Sequence, residues 1–446
     1  LMAISRFVRL QRLTLSRAWL HLRLSALCLL LSGCGTLSQT SAPVGDRVYL
    51  SHASFHENVD DIVRHYMQQK QVAGISIAII HQRGAPQFYS YGVTDARQRY
   101  PITPDTLFAL GSLSKGVTAE VIIGLVDRGE LHWNDTLATL LPRGVPLSED
   151  AKRITLLQLV THTSGLPRQD MDLPMFLKFM AYLRSGENFY GNLDSDAVLS
   201  YLADFSAPAH PAAQYSNLGY ALLGYILQHR LHQDIETLAQ HQLFGPLGMT
   251  SSSFHPQTLR GYPWRALGHA GDQPKLIARG QLTPDWTFHG NMIAAASLYS
   301  NARDLIRYLD AHLQRDTHGA LGQALAQVNN PYEQHGNQAQ NIAWVTDTYG
   351  QQQITYQVGY IGGYASFIGY DRAHGNAIVV LQNAFNWSNY LGIALLRDLA
   401  RKDRRVLNTV ACNFAAQQSA PPEVCCGAKF DALSAAREPS ARGACQ

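Results

Sequence analysis

Residues 106–115 read TLFALGSLSK, and 116–126 continue GVTAEVIIGLV. The second stretch is apolar on most faces of a helix, so it predicts a buried helix over Leu113 to Val126, closed by Gly129. Ser112-Leu113-Ser114-Lys115 stands at its start, and a spacing of three puts Ser112 and Lys115 on one helix face. A lysine entering such a helix is costly unless a partner or a reaction holds it there.

Outward from this helix the chain changes character twice. Upstream, Phe55 to Gln69 has helical apolar spacing, Ile75 to Ile80 is β-branched, and Gln87 to Tyr91 alternates. Arg83-Gly84-Ala85-Pro86 lies between the last two with turn chemistry, which predicts a β-hairpin. Downstream, about 141–290 reads as helices and loops, with Leu218 to Leu231 and Leu298 to Leu313 as clear helices. Strand character returns at Ile354 to Val358, Tyr364 to Tyr370 and Ala377 to Leu381, with Asp371 to Asn376 as a turn. Tyr390 to Arg401 then reads as a helix. Strands at both ends around helices predict one sheet built from both termini, with a mainly helical insertion. The domain is expected over 55–410, its α/β part about 55–140 and 290–410, its helical part about 141–289.

The termini carry other signals. Arg6, Arg9, Arg12, Arg17 and Arg23 precede the apolar run Leu24 to Leu31, so residues 1–33 read as a signal peptide. That run is too short to span a bilayer. Leu31-Ser32-Gly33-Cys34 resembles the bacterial lipobox, which implies acylation of Cys34 and a mature chain starting there, held at a membrane by its lipid. Residues 34–54 would form a lipid-anchored flexible tether. Export implies an oxidising compartment. Cys412, Cys425, Cys426 and Cys445 sit in a tail, 411–446, where four cysteines allow three disulfide pairings and their spacing does not resemble a zinc site. The 446 residues are 46% hydrophobic and 15% charged, ordinary for a globular protein, and a net charge of +3 is too small to imply a nucleic-acid partner.

Three constellations carry chemistry. The Ser112 hydroxyl needs a base within reach, and Lys115 serves if desolvation or a nearby cation lowers its pKa. The helix N-terminus offers an N–H and a positive dipole for an oxyanion. Tyr215-Ser216-Asn217 leads into the second helix, where Tyr215 and Asn217 can face one cleft, although ordinary capping by Ser216 or Asn217 explains the same residues. Gln357-Val358-Gly359-Tyr360 ends a strand before Gly362-Gly363, where a strand-edge N–H can complete an oxyanion hole, or the glycines simply make a turn.

Together these constellations resemble the class C β-lactamase, D,D-peptidase and related esterase family. Longer stretches agree: TLFALGSLSK (106–115), LLQLVTHTSGLP (156–167), YSNLGYALLG (215–224), FGPLGM (244–249) and ASLYSNARDL (296–305). The likeness implies a β-lactamase/transpeptidase-like fold, α/β plus all-α: an antiparallel sheet flanked by helices, an inserted mainly helical domain, and a site between them. It implies Ser112 as nucleophile, Lys115 and Tyr215 as proton-transfer partners, and Asn217, Gln357, Gly359 and Tyr360 as substrate-binding positions. The third motif departs from the family pattern, which begins with Lys or His and has a small residue after the Gly; here Gln357 is neutral and Tyr360 is bulky, so it is expected to narrow the cleft. His162 in the Thr161–Gly165 turn reads as structural, and His229, His232 and His241 as an exposed face rather than a metal site. Trp133, Trp264 and Trp286 line the cleft or fill the core.

The expected activity is acyl transfer from an amide or ester through an acyl-enzyme, with no metal or cofactor. The substrate is a small molecule or a peptidoglycan-derived peptide, met at the bacterial cell envelope. The alternatives are an esterase of small or lipid-like esters, and a lipoprotein that keeps the fold only to bind wall fragments or a partner protein.

Overall fold

The computed structural model of the chain describes residues 55–401 except 96, 170–171, 191–194, 210–212, 315–318 and 388–390. The leader 1–33, Cys34, the segment to residue 54, and the tail with Cys412, Cys425, Cys426 and Cys445 lie outside the described residues. Helix α1 (Phe55–Lys70) buries Val59, Val63 and Tyr66 at helical spacing and leaves Asp61, Arg64 and His65 in solvent. The strands are, in chain order, β1 Gly74–Ile80, β2 Gln87–Gly92, β3 Phe108–Ala109, β4 Tyr299–Ser300, β5 Glu333–His335, β6 Gln338–Gln340, β7 Val345–Tyr349, β8 Gln352–Ile361, β9 Tyr364–Asp371 and β10 Asn376–Gln382.

Eight of them form one antiparallel sheet in the order β2-β1-β10-β9-β8-β7-β6-β5. The first strand of the domain thus lies beside the last, as strand character at both ends predicts. β3 and β4 pair separately, Phe108 opposite Ser300. β1 and β10 are buried along their whole length because both faces of the sheet are covered. Ala78, Ile80, Val379 and Leu381 join a large core that runs on into the helical half. The alternate positions Val380 and Gln382 border a small cavity together with Leu391 and Gly392, and Gln382 accepts a hydrogen bond from Tyr66 of α1.

After β3, one tight turn at Gly111–Leu113 leads into α2 (Ser114–Asp127), buried from Ser114 to Leu125. α3 (Leu156–Val160), α4 (Leu173–Ser185) and α5 (Asn217–Leu231) follow among shorter helical turns. Among the described residues no strand is formed between β3 and β4, in keeping with a helical insertion. α6 (Ala302–Leu313) then packs on β1, β9 and β10, and α7 spans 391–401.

Two sequence expectations are corrected. The helix expected from Leu298 begins at Ala302, because Tyr299–Ser300 pairs with β3 and the Asn301 side chain caps the helix by accepting from the Asp304 N–H at 2.8 Å. β5, β6 and β7 were not expected at all. They are short and polar, joined by the turns Gly336-Asn337 and, for β7 to β8, Gly350-Gln351, so they carry little of the apolar alternation that marks a strand. Trp286 packs in the core, Trp133 lies half-buried against it, and Trp264 is exposed.

Candidate active site

From Thr106 to Leu125 every residue is buried except Ser112, which is partly exposed. The turn that presents it is held from several sides. Gly111 sits at φ +54, and a Cβ there would lie 2.9 Å from the Tyr360 carbonyl, so the position calls for glycine. Ser114 Oγ donates to the Gly111 carbonyl at 2.6 Å and accepts from the Leu298 N–H at 3.0 Å. Thr118 and Lys115 continue this seam, donating to the Ala294 and Ala295 carbonyls at 2.7 and 2.8 Å. The short helical turn Ile293–Ala296 and Leu298, ahead of β4, therefore fix the start of α2 directly behind Ser112.

Lys115 Nζ also donates to Ser112 Oγ at 3.2 Å, and Tyr215 Oη donates to the same oxygen at 2.5 Å. The three residues the sequence singles out as catalytic meet at one atom. Burial holds the Lys115 ammonium well below the usual lysine range, and the Arg168 guanidinium adds to that depression. Burial pushes the Tyr215 phenol up, while Arg168 and the bond to Ser112 oppose the rise. His162 lies behind this pair, its ring 4.7 Å from that of Tyr215 and 5.0 Å from that of Tyr220. Its Nδ1 accepts from the Ser216 N–H at 3.1 Å. Burial, then Lys115 and Arg168, bring its pKa down to about 3, so it is a neutral acceptor that props Tyr215, as its structural reading implies.

Ser216, not Asn217, is the cap of α5: its Oγ accepts from the Gly219 N–H at 2.9 Å and donates to the Pro167 carbonyl at 2.8 Å. Asn217 N–H donates to the Arg168 carbonyl at 3.0 Å, and Asn217 Nδ2 to Tyr190 Oη at 3.0 Å. Tyr190 Oη in turn donates to Gln169. Tyr190 belongs to an aromatic cluster with Phe189 and Trp286. Neither Arg168 nor Tyr190 has a sequence signal; they come to the site because α5 and the 165–169 turn are hydrogen-bonded together.

The opposite wall is β8. β7 pairs only with Gln352–Tyr356, so the edge of β8 from Gln357 onward is left to the Leu110–Leu113 turn. Gly359 allows this approach: a Cβ there would fall 1.9 Å from the Leu110 carbonyl. Gln357 faces the same side, with its amide packed on Gly116, buried, and its Oε1 and Nε2 without a hydrogen-bond partner. Tyr360 is corrected. Strand alternation turns its ring to the other face of the sheet, where it stacks near Phe385 and Trp387 and donates to the Trp387 carbonyl at 2.7 Å. Its side chain does not narrow the cleft; only its backbone borders the nucleophile turn. Among the described residues no group of three His, Cys, Asp or Glu side chains is placed to hold a metal ion, and His229, His232 and His241 are exposed.

The family model described as Beta-lactamase matches residues 59–401. The chain is 28% identical over 262 residues to a β-lactamase of Providencia stuartii, taking in 58% of this chain and 60% of that one. It is 26% identical over 276 residues to the D-alanyl-D-alanine-carboxypeptidase/endopeptidase AmpH of Escherichia coli (strain K12), 60% of this chain and 64% of that one. Both matches span less than two thirds of the relative's length. Among solved structures, a β-lactamase/D-alanine carboxypeptidase from Pseudomonas syringae aligns with a TM-score of 0.66 at 22% identity, over 78% of this chain and 99% of that one. At that identity the alignment speaks for the fold: the sheet built from both ends and its helical insertion.

Proposed function

Because this chain belongs to the β-lactamase family, we propose that it is a serine hydrolase working through an acyl-enzyme on Ser112. The observation that carries the reading is Ser112 Oγ, accessible within a buried stretch and bonded to both Lys115 Nζ and Tyr215 Oη. Ser112 Oγ bonds to the carbonyl carbon of an amide or ester while its proton passes to the Lys115–Tyr215 pair. The carbonyl electrons move onto oxygen, which faces the Ser112 N–H and the β8 edge at Gly359–Tyr360. Collapse breaks the C–N or C–O bond, and the leaving group takes the proton from the pair. Water then adds to the acyl-enzyme by the same route, releasing the acid and restoring the hydroxyl.

Peptidoglycan-derived peptides and β-lactams are the first substrate class, by likeness to the relatives named above. A second class, neutral esters, is favoured by one observation: the third motif offers the neutral, buried amide of Gln357 where the family pattern has a cation. We further place the protein at the bacterial envelope through Cys34, on the strength of the sequence Leu31-Ser32-Gly33-Cys34 after a basic, apolar leader. The activity is tested by reacting the full chain with a fluorophosphonate and mapping the modified peptide. Labelling at Ser112 that disappears in Ser112→Ala is expected; labelling that survives the substitution assigns the nucleophile elsewhere, and a wild type that labels nowhere favours a binding protein.

A further inference from the structure

The catalytic group contains a cation that the S-x-x-K, Y-S-N and third-motif pattern does not include. Arg168 Cζ lies 4.9 Å from the centre of the Tyr215 ring, and Lys115 Nζ lies 5.0 Å from the same centre. The position of Arg168 is built, not incidental. Gly165 turns the chain at φ +78, and the next two anchors run straight to α5: Ser216 Oγ donates to the Pro167 carbonyl and Asn217 N–H to the Arg168 carbonyl. The backbone that carries the guanidinium is thereby tied to the element that carries Tyr215.

We propose that Arg168 is the electrostatic positioning residue of this active site, keeping Lys115 unprotonated and stabilising negative charge on Tyr215 while the Ser112 proton is in transit. The inference rests on the proposed acyl-enzyme chemistry. A lysine becomes a base when it is desolvated or set beside another cation, and both conditions meet here. A guanidinium over a phenol ring also favours its ionised form. The same cation contributes to the depressed basicity of Lys115 and His162 and opposes the rise of Tyr215. Among the described residues, the other groups facing the trio do not duplicate it. His162 is a neutral acceptor, Tyr220 donates to the Val160 carbonyl, and Gln357 is uncharged. Glu120, further along α2, is hydrogen-bonded with His312 Nε2 at 3.0 Å and accepts from Trp344 Nε1 at 3.1 Å.

The sign of the pH effect follows. Protonating Lys115 removes the base, so activity falls on the acid side as pH drops through its pKa. Without Arg168 that pKa rises, and the acid limb moves to higher pH. The experiment measures the second-order rate of Ser112 modification by an uncharged fluorophosphonate from pH 5 to 10, in the full chain and in Arg168→Leu, Arg168→Gln and Arg168→Lys. The ratio of the rate at pH 6 to that at pH 9 is expected to fall about tenfold in Arg168→Leu and Arg168→Gln, and to recover to within about threefold in Arg168→Lys. An uncharged probe keeps lost substrate attraction out of the comparison. A variant that is slower at every pH by one factor, with its acid limb where the wild type has it, overturns the proposal and leaves Arg168 a packing residue. If Arg168→Leu does not fold, Arg168→Gln and Arg168→Lys carry the same comparison. A wild type that is not labelled at Ser112 fails the acyl-enzyme reading itself, a result separate from an unmoved limb.

Discussion

Gln357 packs its neutral amide on Gly116, the residue after Lys115, with neither amide atom hydrogen-bonded. A buried amide left unpaired costs about 1–3 kcal/mol, so the position is held at some expense. A lysine there would instead bring charge to a substrate carboxylate, a charge-assisted bond worth about 1.5–3 kcal/mol net, or roughly one to two factors of ten in rate. Gln357→Lys should therefore raise kcat/KM toward carboxylate-bearing β-lactams about tenfold or more and move neutral-ester hydrolysis far less. Parallel assays with nitrocefin and an uncharged nitrophenyl ester measure both, and an equal change in the two would show that charge at this position does not set specificity. Tyr360 no longer complicates the comparison, since its ring lies on the other face of the sheet. At this scale Ser112 and Lys115 were legible in the sequence because a nucleophile and its base need particular residue types at a fixed spacing, whereas Tyr215, whose segment helix capping explains equally well, stood out only through the family resemblance. Arg168 was not, because nothing local marks an arginine after Leu166-Pro167; only the hydrogen bonds to α5 bring it over Tyr215.

Between elements, the decisive contact is the one between β8 and the turn that opens α2. It is close enough that both sides need glycine: Gly359 against the Leu110 carbonyl, and Gly111 against Tyr360 and Ile361. Gly359→Ala inserts a methyl group where 1.9 Å is available, against backbone, so β8 and the nucleophile turn must part. Overpacking of this kind costs about 1–3 kcal/mol of stability. A displacement of about 1 Å at the oxyanion edge costs on the order of a hundredfold in rate. Folded Gly359→Ala is thus expected to keep most of its stability in urea unfolding while its ester kcat/KM drops about a hundredfold. Wild-type turnover in that variant would mean that the β8 edge takes no part in the reaction. The parity of this strand was also available from sequence: Gln357 and Gly359 share one face, so Tyr360 had to take the other. The expectation of a narrowed cleft missed that step. β5, β6 and β7 escaped for another reason. Three-residue strands such as Glu333–His335 at the sheet edge and Gln338–Gln340 beside it are too short to show an apolar alternation, so turn geometry and pairing, not hydrophobic pattern, define them.

Across the whole domain, strands from its opposite ends, β1 and β10, pair inside one open sheet, and one core continues from Ala78 and Val379 through α2 to Leu227 of α5. That much followed from the order of strand and helix character along the chain. All of Ser112, Lys115, Arg168, Tyr215 and Gln357 lie inside this unit, and none in the leader or the stretch that follows it. The anchoring proposed at Cys34 is therefore expected to be separable from catalysis. From Cys34 to Phe55 there are 21 residues, which reach at most about 70 Å when fully extended. A domain of this size has a radius of gyration of about 20 Å, so a lipid on Cys34 would hold the domain at a membrane surface without fixing which way its cleft faces. Acylation of one cysteine by more than one chain gives stable attachment, whereas a single chain binds only marginally. Expressed in a bacterial host, the wild type should sediment with membranes and carry added acyl mass on Cys34. Cys34→Ser should move to the soluble fraction while its kcat/KM toward a soluble, uncharged ester stays at the wild-type value, because every residue proposed for the reaction belongs to the described domain and Cys34 does not. Membrane sedimentation that persists in Cys34→Ser with no change in mass would reject the lipobox. A soluble Cys34→Ser enzyme with an altered ester rate would instead reject the separation of anchor and site.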